Sequence, residues 1–179
     1  MTFVSNSAAG PVVGSPAVGR RLRLKSPGAV KGCFDGGWWP RSRDPVAEFS
    51  ALITALAADS GPVDRIGFNP ASWDLAPRKL ALEAGLVQLA GFAGLDRHTV
   101  VVIGPSIRRL TLLVIPACVE PAAAERALEA AAAPDAVGSA VLILTTSGAL
   151  EPVHRNGVST TAGVHHTGRC AGARSTTCP

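Results

Sequence analysis

Two short segments concentrate the side chains that could hold or transform a ligand. They are Asp35-Gly36-Gly37-Trp38-Trp39-Pro40-Arg41-Ser42-Arg43-Asp44 and Gly67-Phe68-Asn69-Pro70-Ala71-Ser72-Trp73-Asp74. Together they hold all three tryptophans of the chain. An indole buries about 150–250 Å² and seeks a partner for its N–H. Adjacent side chains of an extended chain point opposite ways, so one of Trp38 and Trp39 is expected to enter a core while the other caps a surface. Arg41 and Arg43 share a face if the chain is extended there, and each offers a planar fork for a carboxylate or phosphate. Asp35, Asp44 and Asp74 are the local counter-charges. Two arrangements satisfy these residues. In the first the segment is a plug: the tryptophans close the core, Arg41 or Arg43 bridges to Asp74, and Asp44 caps a helix. In the second, Trp38, Trp39, Arg41, Arg43, Asn69, Trp73 and Asp74 line a groove. There an indole stacks on the ligand, the arginines bind its anionic group and Asn69 orients it. The second arrangement makes the protein a non-enzymatic module for an anionic small molecule or a protein partner.

Other chemistries find fewer residues. Between residues 20 and 134 the only histidine is His98, at the start of a predicted strand, where a surface position explains it without catalysis. Cys33 has no adjacent histidine. Asp35 and Asp74 act as paired carboxylates only if the loops bring them within about 5–10 Å. Gly28, Gly32, Gly36 and Gly37 lack the spacing of a phosphate-binding loop. His154, His165, His166, Cys170 and Cys178 are zinc-ligand types, but their spacing matches no finger or knuckle and no apolar residues surround them. No metal or cofactor is therefore expected, and an unrecognised small-molecule enzyme is one alternative function. Single-stranded nucleic-acid binding is another. Arg21, Arg23, Lys25, Lys31, Arg41 and Arg43 form a basic stripe beside an indole that can stack on a base. Against that, Lys and Arg on an edge strand also serve to block aggregation.

The elements that must position these residues follow from periodicity. Arg21 to Lys25 alternates strictly and predicts a strand with Leu22 and Leu24 inward. Residues 26–43 read as one long loop. Asp44-Pro45 opens a helix: the carboxylate accepts orphan N–H groups, and proline suits the first helical position. Val46, Phe49, Ile53 and Leu56 form its apolar stripe, and Gly61-Pro62 ends it. Strands follow at 63–68, 78–83, 86–92, 99–103 and 109–115, two pairs of them joined by hairpin-length links. Pro121 opens an alanine-rich second helix that Pro134 stops. Residues 141–144 are ambiguous between strand and helix. The expectation is an α+β domain over 20–134, in the order β-α-β-β-β-β-α. It has a single antiparallel sheet of about five or six strands and helices on one face. Residues 1–19 are expected to be a flexible leader and 135–179 a low-complexity, disordered tail.

With these elements placed, the two segments show a resemblance. A basic alternating strand, Asp-Gly-x-Trp-Trp-Pro-Arg-Ser-Arg-Asp, a helix, then Gly-Phe-Asn and Trp-Asp, resemble an uncharacterised actinobacterial family, a domain of unknown function common in mycobacteria and streptomycetes. The likeness covers about 20–133. Its most specific positions are Asp35, Gly36, Trp38 to Asp44, Gly67, Asn69, Trp73 and Asp74. It implies a source and a boundary but no activity.

Charge is segregated along the 179 residues. Residues 1–43 carry a net +6, residues 44–151 a net −5, and residues 152–179 a net +3. Basic ends on an acidic body suit contact with an anionic partner, or simple solubility. No apolar run approaches the roughly 18 residues of a membrane span, so no membrane partner is expected. Residues 1–19 have no early basic region, and Gly and Pro interrupt their apolar stretches, so a cytoplasmic location with reduced cysteines is expected. Cys33 and Cys118 read as small, partly buried hydrophobes.

Overall fold

A computed structural model describes residues 21–151, apart from 31, 84 and 137. Its strands are β1 (Leu22–Leu24), β2 (Gly36–Trp38), β3 (Arg65–Phe68), β4 (Lys79–Leu82), β5 (Gly85–Gly91), β6 (Thr99–Ile103) and β7 (Leu110–Val114). Its helices are α1 (Pro45–Ser60), α2 (Pro121–Ala132) and α3 (Ala140–Thr146). The α+β class stands, with a correction to the sheet. It has seven strands in the order β1-β2-β7-β6-β3-β5-β4, and it is mixed, because β2 pairs with β7 and β3 with β5 in parallel. Both short links do join antiparallel neighbours, β4 to β5 and β6 to β7, as the geometry of tight connections requires.

The additional strand, β2, lies inside the stretch expected to be a loop. Gly36 and Gly37 are poor strand formers by propensity, and tertiary packing decides their state. A Cβ on Gly36 would run into the carbonyl of Arg23 on β1. One on Gly37 would sit 3.1 Å from Ala131 Cβ and 3.2 Å from Leu128 Cδ2 of α2. The glycine pair lets strand and helix approach closely, which is the positional meaning of glycine in a strand.

Helices lie on both faces, a second correction. Alternate residues of β7 face opposite ways. Leu112 and Val114 join Phe49, Leu52, Ile53 and Leu56 of α1 in one core, while Leu113 and Ile115 join Ala124, Ala127 and Leu128 of α2 and Ile143 and Leu144 of α3 in another. Each of the larger of these side chains contributes about 1.5–3 kcal/mol on burial. Leu52 belongs to the α1 stripe and Val46 does not, since Val46 is exposed.

The caps form as the sequence predicts. Asp44 Oδ1 accepts from the amides of Val46, at 2.9 Å, and Ala47, and Gly61 ends α1 with φ +88°. The packed body continues past Pro134. Ser139 caps α3 by accepting from Leu142 N, and Ala140, Ile143 and Leu144 are buried in the second core. Residues 1–19 and 152–179, including His154, His165, His166, Cys170 and Cys178, lie outside the described residues. Among the described residues no helix is long and apolar enough to cross a membrane.

Candidate functional site

Strands β2, β7, β3 and β5 all run in one direction, and β1, β6 and β4 oppose them. The connections leaving β2, β3 and β7 therefore emerge on one rim of the sheet. His98, just before β6, sits on the same rim, its carbonyl accepting from Val114 N at 2.8 Å. The two tryptophan segments are the connections that leave β2 and β3. Pairing in three dimensions thus brings together what lies about 30 residues apart in sequence.

All three indoles are buried. Trp38 on β2 stacks on Trp73 with centroids 5.5 Å apart and planes at 16°, and Phe49 of α1 packs against both. Trp39 points to the opposite face and joins the α2 core. The alternation of the two neighbours is as expected, but neither is left on a surface. Above Trp39 lies a residue that the sequence reading of the pocket did not include: the Arg21 guanidinium stands 4.1 Å from the ring centroid and donates to Pro40 O at 3.3 Å. Burial first, and the charge of Arg41 second, lower the proton affinity of Arg21, while Glu48 opposes them. Trp39 Nε1 is buried without a hydrogen bond.

Asn69 is buried and committed to the backbone. Its Nδ2 donates to Leu95 O at 2.6 Å and Ala93 O at 3.4 Å, and its Oδ1 accepts from Ala71 N at 2.9 Å. This is an Asx turn that also anchors the 92–98 loop. Asp74 is exposed; its amide donates to Arg43 O at 3.0 Å, and its Oδ1 lies 3.9 Å from Arg43 Nε. That nitrogen is sealed from solvent and makes no hydrogen bond, and Arg43 Nη2 reaches only Ala71 O at 3.5 Å. Ser42 Oγ donates to the buried carboxylate of Glu48 at 2.9 Å and accepts from Asp44 N. The turn before α1 is therefore tied to the helix by side chains as well as by its cap.

Of the seven residues expected to share a groove, five divide between two depressions. A rim groove of about 850 Å³ is lined by Pro40, Ser42, Arg43, Ser72, Trp73, Arg97 and His98, together with Val114, Pro116 to Glu120 and Gly148 to Glu151. A smaller one of about 280 Å³ lies along β1 and α1, between Arg21, Trp38, Trp39, Arg41 and Glu48. Asn69 and Asp74 line neither. The sequence reading missed Arg97 and the 148–151 segment, because nothing local marks them and only the strand order and α3 bring them to the rim. His98 is partly buried there. Burial lowers its pKa below the usual 6.5 against the opposing charge of Asp96, so it is neutral at pH 7. Cys33 and Cys118 are both exposed rather than partly buried. Cys33 is a free thiol. Among the described residues no three His, Cys, Asp or Glu side chains cluster as metal ligands would.

A family model for DUF5994, a family of unknown function, matches residues 21–131. The chain belongs to the DUF5994 family. The matched span runs from the start of β1 to the end of α2, so the family core includes the whole sheet, both tryptophan segments and His98. Helix α3 and the 148–151 wall of the rim groove lie beyond the DUF5994 match. Neither the curated proteins nor the solved structures contain a match to this chain.

Proposed function

We propose that this DUF5994 protein is a non-enzymatic binding module that takes a small ligand with an apolar body and an anionic group into the rim groove. Arg43 carries the reading. Its Nε is closed off from water yet unbonded, and its weak contacts to Asp74 and Ala71 leave most of the fork uncommitted. Guanidinium groups in that condition suit a carboxylate or phosphate, which they engage with two parallel hydrogen bonds. Arg97 supplies a second cation in the same groove, and Trp73, Val114, Pro116 and Leu150 supply apolar surface. The placement agrees with the general position of ligands outside the carboxyl ends of parallel strands. Trp38 and Asn69 serve this site indirectly: one backs Trp73 and the other fixes the turn that carries it. The actinobacterial source rests on the Asp-Gly-x-Trp-Trp-Pro-Arg-Ser-Arg-Asp motif.

The basic stripe of β1 favours no nucleic-acid reading. Arg23 pairs with Glu129 of α2 at 3.1 Å and Arg21 is spent on Trp39.

The test is calorimetric titration of the full chain with a panel of small aliphatic and aromatic carboxylates and phosphates. At least one is expected to bind, and Arg43→Gln to weaken it about tenfold or more, as loss of a charged hydrogen bond does. Binding unchanged in Arg43→Gln, or no binding by any anion of the panel, rejects the proposal.

A further inference from the structure

We infer that the open half of the sheet, over β4, β5, β3 and β6, is a docking face for an acidic amphipathic helix of another protein. On the face opposite α1, helices α2 and α3 cover the β1-β2-β7 half. Among the described residues no helix covers the rest. The registers put Arg65, Gln88, Lys79 and Ile103 in one row of this open surface, and Leu86 is next along β5. Leu86 is 57% exposed, Phe92 53% and Ile103 37%. Phe92 is not splayed into solvent, because its ring lies 3.3 Å from where a Cβ of Gly67 would stand. The absent side chain at Gly67 lets the ring lie flat on the sheet. The result is an exposed apolar strip, crossed by the Arg65–Gln88–Lys79 row, of the kind that a helix layer closes.

Charge selects the helix. The four strands contain two cations, Arg65 and Lys79, and no carboxylate. Arg65 Nε and Nη2 both donate to Gln88 Oε1, at 3.2 and 2.9 Å, which holds that cation against the surface beside the strip. A helix with an apolar stripe flanked by Glu or Asp meets both requirements. The described residues of a second copy of this chain do not supply it. Helix α2 exposes Glu125 and Glu129, but its apolar residues Ala124, Ala127 and Leu128 are already buried, and so is the apolar stripe of α1.

The probe is a synthetic helical peptide of about 18 residues, with Leu at i, i+3, i+4 and i+7 and Glu on the remaining face, beside a control with Lys in place of Glu. Both are titrated into the isotope-labelled full chain by NMR. The Glu peptide is expected to shift amides of β4, β5, β3 and β6, and to lose affinity roughly fivefold or more in Arg65→Gln/Lys79→Gln. Those substitutions are exposed, so the folded spectrum is retained. Phe92→Ser is expected to weaken binding independently. Equal affinity for the two peptides, shifts confined to α1 or the rim groove, or sedimentation showing this face buried in a dimer that Phe92→Ser dissociates, would overturn the inference.

Discussion

Trp38 on β2 and Trp73 after β3 lie nearly parallel, 5.5 Å apart, with Phe49 of α1 closing the third side. Strands β2 and β3 are not neighbours in the sheet, since β7 and β6 stand between them. The indole stack therefore clamps two loops across the rim, and its Trp73 lines the groove that holds Arg43.

Removing one side of this clamp opens a large void. Trp73→Ala is expected to destabilise the protein by about 3–5 kcal/mol, the range for large aromatic truncations in a core. Urea unfolding followed by circular dichroism measures it. A loss below about 1 kcal/mol, the level of an ordinary surface substitution, would show that the stack is not part of the core.

Asp44 holds the first turn of α1 next to the same loop. Asp44→Ala is expected to cost about 1 kcal/mol, because it leaves the amides of Val46 and Ala47 without their acceptor. Asp44→Asn or Asp44→Ser should restore most of that in the same unfolding experiment, since both cap well.

The close approach of β2 and α2 makes Gly37 intolerant of bulk. Gly37→Val is expected to cost about 1–3 kcal/mol from overpacking against Ala131 and Leu128. A thermal melt at or above the wild-type midpoint would contradict the close-approach account of the glycine pair.

His98 sets a pH dependence whose sign follows from its lowered pKa. Above the unfolded value, near 6.5, both states hold it neutral and it contributes nothing. As pH falls below 6.5 the unfolded chain takes up a proton that the folded protein binds less well, so stability drops. Unfolding free energy measured from pH 7.5 to 5 should fall less steeply in His98→Gln. An NMR titration midpoint for His98 at or above 6.5 would remove the basis of this expectation.

The surface pair Arg23–Glu129 spans 3.1 Å with both side chains more than half exposed. Arg23→Ala is accordingly expected to change stability by less than about 1 kcal/mol. A larger loss, insensitive to salt, would point to a buried role for β1 that its exposure does not suggest.

The local signals legible in the sequence were those whose physics is local. Asp44-Pro45, Gly61-Pro62, Pro121 and the two short links marked caps, stops and hairpins, because the atoms they satisfy lie within a few residues. Strict alternation placed Leu22 and Leu24 on the inner side of β1. What the chain alone could not reveal depends on partners distant in sequence. Gly36-Gly37 becomes a strand only because β1, β7 and α2 close around it, and propensity reads that pair as a turn. Parallel pairing of β2 with β7 carries no sequence mark, so neither did the rim that gathers Arg43, Trp73, Arg97 and His98. Residues 140–146 turn helical because Ile143 and Leu144 find a second core on the far face of the sheet. Residue types named the candidates in the two tryptophan segments, and tertiary packing sorted them. It sent Trp38 and Trp39 into opposite cores and Asn69 into a backbone turn. Arg43 stayed at the groove, because a side chain's surroundings are set by strand order rather than by its neighbours in sequence.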